Sequence, residues 1–136
     1  MTEFFTLSEA ETEDVGCQLA AGLTAGQVVL LSGPLGAGKT AFTRGLARGM
    51  SCDETAVSSP TFTLVQEYAG PVRLQHVDLY RLAPAEVDDL ALEDLLEDAV
   101  MAVEWPERWL RAPADAITVT IEPAGESMRR IRIGNP

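Results

Sequence analysis

The residues most able to do chemistry lie in one glycine-rich stretch, GPLGAGKT, at positions 33–40. This order matches the P-loop pattern GxxxxGK(S/T), in which glycines let backbone N–H groups face phosphate oxygens without an intervening Cβ atom. The Lys39 ammonium group would reach the β- and γ-phosphates, and the Thr40 hydroxyl group would ligate Mg²⁺. The pattern therefore predicts a nucleoside triphosphate site. The residues expected to contact the nucleotide are Gly33, Leu35, Gly36, Ala37, Gly38, Lys39 and Thr40.

The use of lysine in this chain supports the same interpretation. Lys39 is the only lysine, and the other nine basic residues are arginines. A wide, planar guanidinium group cannot replace a compact ammonium group inside a phosphate loop, although it serves well on a surface. The alternative, a glycine-rich turn that only caps a helix, is therefore disfavoured.

Two carboxylates could complete a magnesium site, because a P-loop needs an acidic partner at the end of a neighbouring strand. Asp78 lies in LQHVDLYRL, and Glu104 directly follows the apolar run AVMAV. The apolar run before Glu104 is more typical of a buried strand than the segment before Asp78. Both carboxylates could nevertheless hold the metal and act in catalysis. The alternatives are an edge or helix-capping carboxylate for Asp78 and a capping residue for Glu104. For His76, a packed or hydrogen-bonded role is favoured over a catalytic one.

Thr61 lies in the loop SSPTF, about 20 residues after the P-loop. A threonine at this position could close over the γ-phosphate and the metal, as switch segments do. The alternative is a loop threonine that hydrogen-bonds to its local backbone. Together with Lys39, Asp78 and Glu104, it completes the set of candidate catalytic residues.

The elements that must position these residues follow from the apolar pattern. The apolar run VVLL within residues 27–32 and the run AVMAV at 99–103 are typical of strands buried on both faces of a parallel sheet. A helix is predicted over residues 39–50. Another begins at a capping box of Ser8 and Glu11 and ends near Gly22. Further strands are predicted at 4–7, 64–68, 72–79, 117–121 and 128–133, and two short acidic helices within 84–98. We expect one α/β, P-loop NTPase-like domain over residues 1–136, with a mixed, partly parallel sheet flanked by helices.

The composition limits the kinds of molecule that this chain is expected to bind and indicates its cellular location. A net charge of −11 disfavours tight direct binding to nucleic acid, because an acidic surface repels a phosphate backbone. Cys17 and Cys52 lack the spacing of a metal or disulfide pair, so we expect free thiols in a reducing compartment. The sequence has neither a signal-peptide pattern nor an apolar run long enough to span a membrane. The expected location is the cytoplasm.

Acidic residues crowd between Arg81 and Arg108 with no basic residue among them. The simpler interpretation is that they lie on solvated helix faces. The more specific one is a docking surface for a basic patch on a protein partner. Trp105, which follows the second buried strand, is expected in the core. The acidic residues are Glu86, Asp88, Asp89, Glu93, Asp94, Glu97, Asp98, Glu104 and Glu107.

Four segments together resemble the TsaE family of bacterial P-loop ATPases. They are GPLGAGKTAFTRGLARG, SSPTFTLVQEY, HVDLYRL and VEWPER, and their order and spacing also match. The resemblance implies ATP and Mg²⁺ binding and weak ATPase activity by the chain alone. It also implies association with the TsaD–TsaB pair, which transfers a threonylcarbamoyl group to adenosine 37 of tRNAs that read codons starting with A. ATP hydrolysis would reset that assembly, and tRNA would be contacted only indirectly.

The resemblance also implies roles for individual residues. Thr61 corresponds to the switch-like loop, Asp78 to the Walker-B-like acid, and Glu104 to the acid associated with metal and turnover. This chain departs from the family at Pro34, where an acidic residue is common. Proline has no backbone N–H group, so an amide contact with phosphate is not expected there.

Three other functions are compatible with a P-loop. In a nucleotide-gated interaction module, ATP binding would order the Thr61 loop and set the affinity for a partner, with hydrolysis incidental. A small-molecule kinase usually carries a lid and basic acceptor-binding residues, which are not evident here. A GTPase is disfavoured because the guanine-reading motif NKxD is absent from the sequence.

Overall fold

The computed structural model describes residues 2–34, 36–53 and 64–134. Within these described residues, seven strands form one mixed sheet in the order β1-β7-β6-β2-β5-β4-β3. The four central strands, β6, β2, β5 and β4, are parallel to one another, and the outer pairs β6–β7, β7–β1 and β4–β3 are antiparallel. The prediction of a mixed, partly parallel sheet is confirmed. The strands are β1 (Thr2–Thr6), β2 (Val28–Ser32), β3 (Val65–Tyr68), β4 (Arg73–Asp78), β5 (Ala99–Glu104), β6 (Ile117–Pro123) and β7 (Arg129–Gly134).

The centre of the sheet explains the apolar runs in the sequence. All six residues of β5 are buried, and β2 lies between β5 and β6. In β4, the residues from Leu74 to Val77 are all buried. These residues are buried because β4 is an interior strand, which pairs with β3 on one side and with β5 on the other. Asp78 is therefore not on an edge strand.

In the part of the chain that the structure describes, two helices cover one face of the sheet and pack against each other. They are α1 (Glu9–Ala20) and α2 (Lys39–Gly49), and both contribute to the larger apolar core. Their approach is close, since a Cβ atom added at Gly45 of α2 would lie 2.0 Å from the carbonyl oxygen of Glu13 in α1. This contact fixes where α2, and hence its first residue Lys39, lies relative to the sheet.

The first helix begins as predicted but with a different partner for its acidic residue. The Ser8 hydroxyl oxygen accepts a hydrogen bond from the Glu11 N–H group at 3.2 Å. The Glu11 carboxylate accepts from the N–H group of Leu7 at 2.9 Å, where a capping box would have used that of Ser8. The helix ends at Ala20, two residues before the predicted end.

Residues 84–98 of the acidic stretch form two short helical segments, as predicted. The first is α3 (Pro84–Asp88), and the second, Leu92–Leu96, is a 3₁₀ helix. Every acidic residue of the stretch is exposed except Glu104. This exposure agrees with the interpretation of solvated helix faces and separates Glu104 from its acidic neighbours.

The other predicted elements are present, with bounds that differ by one or two residues. The loop that contains Thr61 and the P-loop residue Leu35 lie outside the described residues. Cys17 and Cys52 are free thiols. Among the described residues, none of the helices has the length and apolar character needed to cross a membrane.

Candidate functional site

The predicted site residues meet at one edge of the sheet, where three adjacent parallel strands end. The P-loop leaves β2 after Ser32, β4 ends at Asp78, and β5 ends at Glu104. Glu104 is in register with Asp78 of β4 on one side and with Leu31 of β2 on the other. The carboxyl ends of parallel strands are where open α/β sheets bind ligands.

Glycines shape the P-loop as the sequence predicts. Gly33, Gly36 and Gly38 have φ angles of 154°, 78° and 110°, in a region that L side chains rarely adopt. At Gly33 a Cβ atom would also lie 2.3 Å from the carbonyl oxygen of Ile121 in β6. Gly38 is the N-cap of α2 and has no side chain to occupy the first N–H groups of the helix, so these groups can receive an anion.

One hydrogen bond joins two residues within the P-loop. The N–H group of Ala37 donates to the carbonyl oxygen of Pro34 at 3.1 Å, which closes a turn. A phosphate contact from Ala37, like the other nucleotide contacts, stays a prediction.

Arg129 contacts the P-loop, which the sequence analysis did not predict. Its Nε atom donates to the carbonyl oxygen of Ala37 at 3.1 Å, and its Nη2 atom donates to that of Gly36 at 3.5 Å. Arg129 begins β7, 92 residues after Ala37 along the chain. It braces the loop from outside and adds positive charge beside it, and no local pattern could have revealed this contact.

Lys39 is buried, with 5% of its surface exposed, and its ammonium group has three neighbours among the described residues. The Nζ atom donates to the carbonyl oxygen of Gly33 at 2.8 Å and lies 3.7 Å from Oε1 of Glu104. It also lies 4.3 Å from the centroid of the Trp105 ring, within cation–π range. A buried charge needs such partners because it has lost its hydration.

Glu104 joins this lysine to a buried histidine. Its Oε2 atom lies 2.7 Å from Nε2 of His76, which is completely buried. The other ring nitrogen of His76, Nδ1, lies 3.3 Å from the hydroxyl oxygen of Tyr68. The prediction of a packed, hydrogen-bonded histidine is confirmed, but its partner is the candidate catalytic carboxylate, which sequence spacing did not reveal.

Asp78 stands beside Glu104 in a different environment. Its Oδ1 atom accepts a hydrogen bond from the N–H group of Tyr80 at 2.9 Å. Partial burial raises the pKa of the Asp78 carboxyl above its usual value, and the negative charge of Glu104 adds to the rise. The Tyr80 N–H group opposes the shift, as do the nearby His76 and Lys39. A carboxylate held in this way would be stabilised by a nearby cation.

Trp105 lies at the site, although the sequence placed it in the core. It is only partly buried and packs against the edge of the smaller core cluster, whereas Trp109 is the buried tryptophan. Its ring lies over Lys39 and 4.9 Å from the ring of Tyr80. Its backbone is left-handed, with φ 59° and ψ 52°, a conformation that costs about 1–2 kcal/mol for a residue other than glycine. Strain of this kind is concentrated at functional sites.

Two adjoining cavities surround the N-terminus of α2 and share the residues Glu9, Gly36, Gly38 and Ala41. One, of about 230 Å³, is also lined by Lys39, Thr40, Arg44 and Glu104. The other, of about 280 Å³, extends towards the β6–β7 hairpin and is also lined by Leu7, Ser8, Thr12, Glu126, Ser127 and Arg129.

The chemistry of the donor groups fits Mg²⁺ held together with phosphates. Thr40 and Glu104 line one cavity and offer it a hydroxyl and a carboxylate group, and Asp78 is in register with Glu104 on the adjacent strand. Within residues 2–34, 36–53 and 64–134, no group of three or more His, Cys, Asp or Glu residues could hold a metal ion. Mg²⁺ commonly uses one or two carboxylates and completes its coordination with substrate phosphates and water.

Comparison with known proteins gives consistent matches. The family model described as threonylcarbamoyl adenosine biosynthesis protein TsaE matches residues 6–131. A relative from Nostoc, named tRNA threonylcarbamoyladenosine biosynthesis protein TsaE, is 43% identical over 98% of this chain and 85% of its own. A relative of the same name from Aquifex aeolicus is 38% identical over 98% of this chain and 96% of its own. The crystal structure of YdiB from Bacillus subtilis superposes with a TM-score of 0.79 at 30% identity, covering 98% of this chain and 84% of that one.

Proposed function

The chain belongs to the TsaE family, and from this premise we propose that it binds and hydrolyses ATP in support of tRNA threonylcarbamoyladenosine biosynthesis. Its proposed partners are TsaD and TsaB, and it would reach tRNA only through them, in the cytoplasm. The ATPase proposal rests mainly on the contact between the Lys39 ammonium group and the Glu104 carboxylate. The P-loop lysine and a buried carboxylate at the end of β5 lie 3.7 Å apart beside the N-terminus of α2.

The two cavities suggest how ATP would lie. The cavity with Lys39 and Thr40 would take the β- and γ-phosphates, because the N-terminal N–H groups of α2 and the ammonium group are there. The adjoining cavity with Thr12 and Ser127 would take the ribose and base, because it continues from the same P-loop glycines. The chain would thus hold the nucleotide between α1, α2 and the β6–β7 hairpin.

In the proposed reaction, water attacks the γ-phosphorus in line, the bond from this phosphorus to the bridging oxygen breaks, and ADP leaves. Lys39 transfers its hydrogen bond from the Gly33 carbonyl oxygen to phosphate and stabilises the charge that spreads over the phosphoryl oxygens. Glu104 orients the attacking water and accepts its proton, and Asp78 and Thr40 would help to hold Mg²⁺. When bound, Mg²⁺ would neutralise charge on the β- and γ-phosphates. The role of Thr61 in closing over the γ-phosphate stays a prediction from the sequence.

The two arginines of α2 differ in their suitability for assisting the reaction. Arg44 lines the cavity with Lys39 and pairs with Glu13 at 3.8 Å. Arg48 pairs instead with the exposed Asp14 at 2.6 Å. Arg48 is therefore a suitable site for a control substitution on the same helix.

The test is ATP turnover by the purified chain, first alone and then with its cognate TsaD–TsaB pair. Lys39→Ala serves as the blank and Arg48→Ala as the matched control. We expect slow turnover alone and a clear rise with the pair, absent in Lys39→Ala and retained in Arg48→Ala. Tight binding of Mg²⁺-ATP without turnover in either condition would contradict the ATPase proposal. Transfer of phosphate to a small acceptor would contradict the biosynthetic role.

A second function, the nucleotide-gated interaction module, is favoured by the buried contact of Lys39 with Glu104. ATP binding must rearrange this contact, and the rearrangement by itself could change the affinity for a partner. Glu104→Ala distinguishes the two functions. If partner-dependent tRNA modification survives the loss of turnover, binding is sufficient. If modification is lost with turnover while nucleotide still binds, hydrolysis is required.

A further inference from the structure

Four buried side chains form a continuous polar path across the sheet. Tyr68 of β3 lies 3.3 Å from His76 of β4, which lies 2.7 Å from Glu104 of β5, and Glu104 lies 3.7 Å from Lys39 of α2. Exposed fractions are 4% for Tyr68, 0% for His76 and 5% each for Glu104 and Lys39. A buried polar group is costly unless it has partners, so such a path fixes the positions of its members.

The two oxygens of Glu104 have different partners. Oε1 faces Lys39, which the proposed function requires to turn towards phosphate. Oε2 contacts Nε2 of His76. This imidazole is completely buried, so solvent cannot replace Glu104 as its hydrogen-bond partner. The Lys39 contact must therefore weaken when nucleotide binds, whereas the His76 contact can persist.

The far side of His76 is also held. The Tyr68 hydroxyl group lies beside Nδ1, and it donates its own hydrogen to Oε1 of Gln66 at 2.5 Å. The rings of Tyr68 and His76 have centroids 6.1 Å apart, so they also pack against each other. The imidazole is thus held on both sides, by β3 and by Glu104.

We propose that His76, braced by Tyr68, is a positioning residue that holds the Glu104 carboxylate in its orientation for turnover after phosphate has drawn Lys39 away. This inference rests on the proposed ATPase function. It assigns the edge strand β3 a part in a site whose reacting groups lie on β5 and α2. Binding of nucleotide to the P-loop does not depend on His76. A substitution at His76 should therefore lower turnover without an equal loss of affinity for nucleotide.

The kinetic experiment uses three substitutions. His76→Phe keeps a ring but removes both nitrogens, and we expect kcat to fall at least about tenfold, with the KM for Mg²⁺-ATP changed less than about threefold. His76→Gln restores an N–H donor for Glu104 and should recover most of the loss. Tyr68→Phe removes only the brace and should lower kcat about two- to fivefold.

A matched control is available on the same two strands. Gln75 of β4 donates to Oε2 of Glu67 in β3 at 3.1 Å, and its side chain points to the opposite face from that of His76. Gln75→Met should leave kcat within about twofold, because it breaks a β3–β4 contact that does not reach Glu104. If His76→Phe changes kcat no more than Gln75→Met does, the positioning role is wrong.

A second readout needs no nucleotide. His76 is the only histidine in the chain, so its ring nitrogens give unambiguous NMR signals. We expect Glu104→Gln to shift the Nε2 resonance and Tyr68→Phe to shift the Nδ1 resonance of the free protein. Unchanged Nε2 in Glu104→Gln would overturn the proposal whatever the kinetics show.

The two proposals can fail separately. If the wild-type chain has no turnover even with TsaD and TsaB, the proposed function fails and the positioning role fails with it, although the NMR shifts would still show the contact. If turnover is present but insensitive to His76→Phe, or if His76→Gln gives no recovery, only the positioning role fails.

Discussion

The P-loop and the carboxylate edge of the sheet form two halves of one site but are built in different ways. The P-loop is contiguous, and its shape follows from glycines with positive φ before the first turn of α2. The carboxylate edge is assembled from residues on β3, β4 and β5 that are up to 36 positions apart, from Tyr68 to Glu104. Binding of an anion can thus be encoded locally, whereas the orientation of a buried acid needs several strands.

Lys39 belongs to both halves. It begins α2, and its ammonium group contacts the Gly33 carbonyl oxygen on one side and approaches Glu104 on the other. Substitutions at and around this residue can therefore show whether the two halves act separately, as we propose.

The largest expected effect is that of Lys39→Met, which removes the charge shared by both halves. We expect the dissociation constant for Mg²⁺-ATP to rise by at least about a hundredfold, equivalent to about 2.7 kcal/mol, and turnover to fall below detection. Isothermal titration calorimetry and phosphate release measure the two effects. An affinity within threefold of wild type would show that the P-loop binds nucleotide without its lysine.

Glu104→Gln should affect only the carboxylate half. Turnover is expected to fall about a hundredfold or more, because an amide cannot act as a base towards water. The affinity for Mg²⁺-ATP should stay within a few-fold of wild type. The same two assays measure this, and an equal loss of affinity would show that Glu104 belongs to the binding half.

Gly33→Ala should damage the P-loop half through its backbone. The added Cβ atom would lie 2.3 Å from the Ile121 carbonyl oxygen, so loop and strand must move apart. We expect a loss of about 1–3 kcal/mol in the free energy of unfolding, measured by urea denaturation. Gly22→Ala is the control, because its Cβ atom would meet only the Leu19 carbonyl oxygen at 3.9 Å. Equal effects at both positions would contradict the close packing of the loop against β6.

The smallest effect is expected for Asp78→Asn, and its sign is opposite. Because burial raises the pKa of the Asp78 carboxyl, ionisation of this group at neutral pH opposes folding. Asparagine should therefore modestly increase the free energy of unfolding at pH 7, measured in EDTA, and keep an acceptor for the Tyr80 N–H group. The gain should shrink as the pH falls through the raised pKa of Asp78, because the wild-type carboxyl then takes up a proton.

A control for that substitution is Asp14→Asn, which removes an exposed carboxylate paired with Arg48. Its effect on the free energy of unfolding should be at most about 1 kcal/mol and destabilising. A loss of stability in Asp78→Asn at pH 7 would show that the charged carboxylate supports the fold.

Some of this architecture was readable from local patterns. The apolar runs predicted β2 and β5, and their parallel pairing brought the P-loop and Glu104 to the same edge. Ser8 marked the start of α1, although the partner of Glu11 differed by one residue. The burial of β4 was missed because strand order, and not its own sequence, decides whether a strand is interior.

The sequence by itself determined the P-loop, because glycine conformations, a helix N-terminus and one lysine are properties of adjacent residues. Only the tertiary structure decided that His76 contacts Glu104, that Trp105 lies over Lys39 and that Arg129 braces the loop. These contacts join residues on different strands and helices. Their existence depends on strand order, register and burial, which arise when the whole sheet packs and which no short segment specifies.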